Sequence, residues 1–321
     1  MKVADFRGLP VAAPYIAMMP QWDLLDFIAR EARRYSGFEL KMQCEAVDLI
    51  YDHEDRVCGA KTAAGEELRA KLTIAADGRR SVLRGKAELP LRQFGAPMDV
   101  FWFRVVKPDG FGGGVFGSIR AGRFMVMIDR GDYFQCAFVF NKGQAAAVRA
   151  AGLDKFREGL CSLVPELGNA FGQIADWDQV KVLDVALDRL EKWHRPGLLA
   201  IGDAAHAMTP VGGVGINVAV QDAVTAANVL AEAMVKGADV DRLLPQIYAR
   251  RIKPVRRMQA LQKFAQDNVI ARVLSRTKPI RKPFLPLRIL NRFSLLRQLP
   301  GRVIGLGFGR ESIQSPEAQS N

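Results

Sequence analysis

Residues 198–217, LLAIGDAAHAMTPVGGVGIN, gather the residue types that hold an anionic, hydroxyl-rich ligand. The apolar run ends at Ile201, Gly202 permits a tight bend, and Asp203 stands at the carboxyl end of the predicted strand. Open α/β sheets bind their ligands at that end. Gly212, Gly213 and Gly215 let backbone come close to a bound group. A helix starting near Ile216 would aim its free N–H groups and its positive dipole end at the same place. A carboxylate that can accept from sugar hydroxyls, beside an anion-binding helix start, suits a dinucleotide.

Other candidate groups are weaker. Asp77-Gly78, in IAADGRRSVLR, follows a strand-like run, and a DG pair alone is a common turn. Gln21, in PQWDLLDFIAREA, alone reads as an ordinary polar helix start. Cys44, Cys58, Cys136 and Cys161 form no CxxC, and His53, His194 and His206 are scattered, so no metal site is expected. His206 reads as a structural histidine rather than a base. The GxGxxG string at Gly112–Gly117 lies between two strand-like runs with no helix after it, so it reads as a loop and not a nucleotide fingerprint.

The elements that must position these residues follow from periodicity. Residues 20–35 carry an apolar helical stripe at Leu24, Leu25, Phe27, Ile28 and Ala32, with Gly37 as a stop. Short β-rich runs lead to a strand ending at Ala76-Asp77-Gly78. Residues 97–141 are strand-like again, a helix-like stretch follows, and LLAIGDAA reads as a buried strand before a long alanine-rich helix. Phe101, Trp102 and Phe103 either line an aromatic pocket or form plain sheet core.

The run Gly202-Asp203-Ala204-Ala205-His206, then Pro210, then Gly212-Gly213-x-Gly215-Ile216-Asn217, resembles the GD motif of the group A flavoprotein monooxygenases. Those are FAD-dependent aromatic hydroxylases related to para-hydroxybenzoate hydroxylase. Asp77-Gly78 resembles their DG motif and Gln21 their helix-start glutamine, in the right order, so the likeness covers residues 10–260.

The resemblance implies an α/β fold: a GR2-type FAD-binding domain carrying an inserted, mainly antiparallel β substrate domain. Expected parts are 1–87 and 186–260 for the FAD-binding domain, 88–185 for the substrate domain and 261–321 for a basic helical C-terminal extension. It implies that Asp203 bonds the ribityl hydroxyls, that Gly202 bends the chain there, and that Gly212 to Asn217 cradle the pyrophosphate and flavin edge. Ile216 would make a backbone flavin contact, and Pro210 would lie between flavin and substrate. Gln21 would touch the ribityl chain. Asp77 and Gly78 would sit near the pyrophosphate, with Arg79 and Arg80 as phosphate partners. The implied activity is hydroxylation of a small aromatic or apolar substrate by O2 through a flavin hydroperoxide, with NAD(P)H as reductant. A flavin-dependent reductase or dehydrogenase on the same fold, or a non-catalytic remnant, are the alternatives. The family's opening strand–GxGxxG–helix unit has no counterpart here, so the FAD-binding domain is expected to be incomplete at its N-terminus, with exposed sheet edges and apolar surface.

Composition bounds the rest. The 321 residues are 49% hydrophobic and 25% charged, values of an ordinary globular chain of about two domains. Sixteen Lys/Arg against the single acid Asp267 lie between 250 and 310, so the formal charge of +12 belongs to this segment. No RNP, zinc-finger or heptad pattern accompanies it, and nucleic-acid binding is not expected. Two readings stand for the segment: short helices with solvated arginines, or peripheral contact with anionic lipid. MKVADFRGLPVAAP is not a signal peptide, and a cytoplasmic protein is expected.

Overall fold

The computed structural model describes residues 4–120, 122–276 and 285–316. The chain opens with α1 (Gln21–Ala32), β1 (Ala46–Tyr51), β2 (Val57–Thr62), β3 (Glu67–Arg69), β4 (Thr73–Ala75), α2 (Val82–Lys86) and β5 (Leu91–Gln93). Next come β6 (Met98–Val106), β7 (Val115–Arg120), β8 (Arg123–Asp129), β9 (Tyr133–Asn141), α3 (Ala145–Ala150), α4 (Leu153–Leu163), α5 (Gly168–Phe171) and β10 (Lys181–Leu183). It ends with β11 (Asp188–Leu190), β12 (His194–Arg195), β13 (Leu198–Ala200), α6 (Gly215–Val235), α7 (Leu244–Ala265), α8 (Ala271–Leu274), α9 (Leu285–Arg292) and α10 (Gln298–Leu306).

Contacts divide these elements into two units. The first takes Met1–Gln21, Ala96–Val185 and Lys263–Gly305; the second takes Trp22–Gly95, Ala186–Gln262 and Leu306–Asn321. The division lies near 95/96 rather than 87/88 because β5 pairs antiparallel with β11, Leu91 opposite Leu190 and Gln93 opposite Asp188. The basic C-terminal residues do not form a body of their own. Lys263–Gly305 group with the first unit and the rest with the second.

The first unit is built on a five-stranded antiparallel sheet, in the order β10-β6-β9-β8-β7. Alternation decides its faces. Phe101, Phe103, Val105, Met125, Met127, Phe134, Cys136, Phe138 and Phe140 pack against Phe156, Leu160 and Leu163 of α4. Phe101 and Phe140 have ring centroids 4.4 Å apart, and Phe156 meets Phe101 edge-on at 5.8 Å, the geometry aromatic quadrupoles favour. Phe101 and Phe103 are therefore sheet core. Trp102 points to the other face and, with Arg104, Val106, Tyr133, Gln135 and Lys181, lines a cleft of about 600 Å³. The Gly112–Gly117 string runs from a loop into β7, which turns back antiparallel into β8 with no helix following.

The second unit holds the short strands around which the GD motif folds. β13 runs parallel to β4, pairing Leu198 with Thr73, Leu199 with Ile74 and Ala200 with Ala75, while β12 pairs antiparallel on its other edge. Leu198, Leu199 and Ala200 are completely buried, as expected of a parallel strand covered on both faces. β1, β2 and β3 form a separate antiparallel meander. α6 is long and apolar enough to cross a membrane by length and composition; its Val218, Asp222, Thr225, Ala226 and Leu230 are buried within the protein, while Ile216, Val220 and Val235 are exposed.

α1 forms where its periodicity predicts, with Asp23 in its first turn and Arg30 in its last, but buries no residue. Trp22 is 72% exposed, and Phe27 and Ile28 are about half exposed. Among the described residues, no strand pairs with the outer edge of β4, and Ile74 on that strand is also exposed. The expected exposed edge and apolar surface are thus present.

Candidate functional site

The end of β13 is fixed by backbone geometry. The Ile201 N–H donates to the Ala75 carbonyl at 3.0 Å, which ends the parallel pairing. Gly202 then turns with φ +58°, and a Cβ there would stand 3.1 Å from Cβ of Ala219 on α6. Glycine is needed both for the left-handed turn and for the close approach of the helix. Asp203 follows, about one-third exposed, with Arg79 Nη2 at 3.3 Å from its Oδ2.

The loop after this turn presents backbone rather than side chains. Pro210 leads into the turn Val211–Gly213, where Gly212 and Gly213 have φ +80° and +63°. A Cβ on Gly213 would meet nothing within 4 Å, so the space above it is open. α6 begins at Gly215 with no side chain capping its N-terminus. Its first N–H groups and dipole end are available to an anion. Ile216 and Asn217 are exposed on that first turn.

Asp77 is engaged by donors of its own chain. Its Oδ1 accepts from Ser81 Oγ at 2.6 Å and its Oδ2 from the Leu83 N–H at 3.1 Å. Ser81 Oγ in turn accepts from the Arg84 N–H at 3.0 Å. Asp77 and Ser81 together cap α2, and Gly78 makes the turn with φ +83°. The DG motif orders a loop; the charge of its Asp is already engaged by donors of its own chain.

Four groups that the sequence did not single out hold the two motifs together. Buried Arg84 donates to the Ala204 carbonyl at 3.2 Å and to the Arg79 carbonyl at 2.7 Å, and its Nη1 lies 3.6 Å from Asp188 Oδ1. Asp188 accepts from the Ala207 N–H at 3.1 Å. Burial raises the pKa of Asp188; the Ala207 N–H and Arg84 pull it down, and Asp203 adds to the rise. Gln259 on α7 donates to the carbonyls of Asp188 and Ala207 at 2.7 and 3.2 Å. Gln262 accepts from the Thr209 N–H at 3.3 Å and donates to the carbonyls of Thr209 and Val211 at 3.0 and 2.9 Å. These two glutamines set the path of residues 207–211 and so the place of Pro210. Gln21, by contrast, is the first residue of α1 and groups with the first unit.

The second unit therefore assembles Asp203, the Gly212-Gly213 turn and the open start of α6. This donor set fits the flavin, ribityl and pyrophosphate portion of FAD: a hydroxyl acceptor, the free N–H groups of the first turn of α6, and a left-handed glycine turn with open space above it. For the adenosine end, no strand–GxGxxG–helix occurs among the described residues. Nor do they contain a group of three His, Cys, Asp or Glu able to hold a metal.

Comparison with known proteins gives the chain a family. The family described as FAD binding domain matches residues 2–262. The chain belongs to that family. It is 30% identical over 265 residues to 6-methylpretetramide 4-monooxygenase of Streptomyces rimosus, covering 80% of this chain and 62% of that one. It is 27% identical over 276 residues to protoasukamycin 4-monooxygenase of Streptomyces nodosus subsp. asukaensis, covering 81% and 66%. The chain thus spans just under two-thirds of the length of these relatives. The crystal structure of PqsL from Pseudomonas aeruginosa superimposes with a TM-score of 0.67 at 16% identity, over 80% of this chain and 72% of that one. That of 2-methyl-3-hydroxypyridine-5-carboxylic acid oxygenase gives 0.63 at 20% identity, over 79% and 68%. The α/β FAD-binding fold with its antiparallel sheet is the family's, and FAD is the family's cofactor.

Proposed function

We propose that this chain carries the flavin-binding part of an FAD- and NAD(P)H-dependent monooxygenase that hydroxylates a small aromatic or apolar molecule with O2. The observation that carries the reading is the meeting of Asp203, at the end of a parallel strand, with the open glycine turn and uncapped start of α6. When bound, FAD supplies the redox chemistry and the activation of oxygen. The chain's own residues bind and orient. Asp203 accepts from ribityl hydroxyls, the N–H groups of Gly215, Ile216 and Asn217 at the start of α6 take anionic charge, and the α6 dipole favours that charge when it grows. Pro210, on the loop held by Gln262, shapes the substrate side. Gly202 and Gly215 keep backbone close to the cofactor, Ile216 offers backbone to it, and Asp77 and Gly78 hold the neighbouring loop in place. The names of the Streptomyces relatives, both 4-monooxygenases, support the reaction class.

The test is titration of the purified chain with FAD, followed by absorbance and flavin fluorescence. Binding that is lost in Asp203→Ala supports the site; binding unchanged by that substitution refutes it. NAD(P)H oxidation with aromatic candidates then separates a hydroxylated product from a merely reduced one. One observation favours a non-catalytic second reading, the unburied apolar face of α1 with Trp22, Phe27 and Ile28. A folded, soluble chain that takes up no FAD would establish that reading.

A further inference from the structure

One buried ionic cluster in the second unit has no part in the binding contacts above. Asp222, two turns into α6, is completely buried. Its Oδ2 lies 2.5 Å from His206 Nε2 and accepts the Gly202 N–H at 3.1 Å. Its Oδ1 accepts from Arg251 Nε at 2.8 Å. Arg251, equally buried on α7, passes Nη1 to the Gly309 carbonyl at 2.9 Å. The His206 ring rests against Trp193, centroids 4.9 Å apart. Burial pushes the Asp222 carboxyl up, but His206 and Arg251 outweigh it and hold the pKa below its ordinary value.

The C-terminal residues close over this cluster as a strap. Gly309 has φ +59°, and a Cβ there would stand 2.4 Å from Pro254 Cγ. Arg250 grips Glu311 with two bonds of 2.8 and 2.7 Å. Asn228 donates to the Ser312 carbonyl and accepts the N–H groups of Gln314 and Ser315, at 2.7–2.9 Å.

A buried ionic cluster is a poor device for stability, because desolvation offsets much of the attraction. Its value lies in geometry. The Gly202 N–H, immediately before Asp203, has the Asp222 carboxylate as its partner, and His206 ends the same turn. We propose that Asp222 is a positioning residue for the flavin turn, setting the direction in which Asp203 is presented, and that Arg251 makes this setting depend on the strap at Gly309. The inference rests on the reading of Asp203 as a flavin ligand.

The experiment is a double-mutant cycle on FAD affinity, measured on the full chain by quenching of flavin fluorescence. Asp203→Asn, Asp222→Asn and the double variant are compared, with circular dichroism as the control for folding. Asp222→Asn should weaken FAD roughly tenfold, the order expected for one charge-assisted bond. If Asp222 acts through the turn, the double variant binds no more weakly than the weaker single one. A double variant whose loss is the product of the two single losses overturns the inference and leaves the site reading intact. An Asp203→Asn variant with wild-type affinity overturns both. Should Asp222→Asn not fold, Arg251→Lys replaces it in the cycle. In the wild type the Gly202 amide should exchange with deuterium as slowly as those of β13; fast exchange refutes the anchoring.

Discussion

Replacing Arg84 by Met tests the connection between the DG and GD loops directly. The Arg84 side chain is almost fully buried. Methionine keeps its unbranched stem and removes only the guanidinium. Two bonds to carbonyls, at Ala204 and Arg79, are lost. Hydrogen bonds from charged donors contribute about 1.5–3 kcal/mol each, and two from one guanidinium do not simply add. Asp188 also loses its cation, 3.6 Å away. Breaking a buried pair costs about 3–5 kcal/mol, and this separation places the pair at the low end. A net destabilisation of about 3 kcal/mol follows, a large share of the roughly 5–15 kcal/mol that keeps a domain folded.

The sign of the pH dependence is also fixed. The pKa of Asp188 is already raised by burial, with Arg84 among the groups opposing the rise. Without Arg84 it rises further. A carboxyl whose folded pKa lies above its unfolded value weakens the fold as pH climbs from the unfolded value through the folded one. The deficit of Arg84→Met is therefore largest at neutral pH and shrinks as pH falls and Asp188 takes up its proton. Urea unfolding at pH 8 and pH 5, followed by the fluorescence of the buried Trp193, measures both values. Asp188→Asn in the Arg84→Met background should recover part of the loss. A deficit under about 1 kcal/mol, or one independent of pH, would refute the assigned role of Arg84.

The sheet of the first unit and the basic segment give two further expectations. Phe101→Ala should destabilise the chain by about 3–5 kcal/mol, and Trp102→Ala by less than half as much, because β6 alternates the buried Phe101, Phe103 and Val105 with the less buried Trp102, Arg104 and Val106; thermal unfolding of both variants checks the ranking, and a reversed order would show that the faces are misassigned. Between Asp267 and Glu311 lie ten Lys/Arg and no acid, and Phe293, Leu295 and Leu299 are more than half exposed; the lipid reading of this segment requires that the chain sediment with phosphatidylserine vesicles and be released by salt, at about 1 kcal/mol per basic residue near the surface, whereas equal recovery with purely zwitterionic vesicles establishes the reading as solvated arginines.

Much of the site was legible in the sequence because its signals are local. Gly202, Gly212 and Gly213 are needed for left-handed backbone, Asp203 follows a buried strand, and α6 starts where the glycines end. Each is a statement about adjacent residues. The capping role of Asp77 was not legible in the sequence. Whether a carboxylate faces a ligand or caps the next helix depends on Ser81 and Leu83 folding back onto it. α1 was legible as a helix with an apolar stripe, but periodicity says nothing of what covers such a stripe, and here it buries no residue.

The groups that bind the site from behind were missed for a different reason. Arg251, Gln259 and Gln262 look like the solvated face of a charged helix, since α7 is rich in arginine and lysine throughout. Yet Leu244, Ile247, Arg251, Val255, Met258 and Gln262 recur at three- and four-residue intervals, and all of them are buried. The stripe is the core-facing one, with Arg and Gln standing where leucine would be ordinary. A buried polar side chain is retained only where it has partners, so each such position names an unseen backbone group that needs one. Here those groups are the loop at 207–211 and the strap at Gly309, the first of which carries Pro210. Polar residues within an apolar helical stripe therefore point to the loops a helix serves. On α7 they mark it as the scaffold that fixes the loop at 207–211, a role its composition conceals.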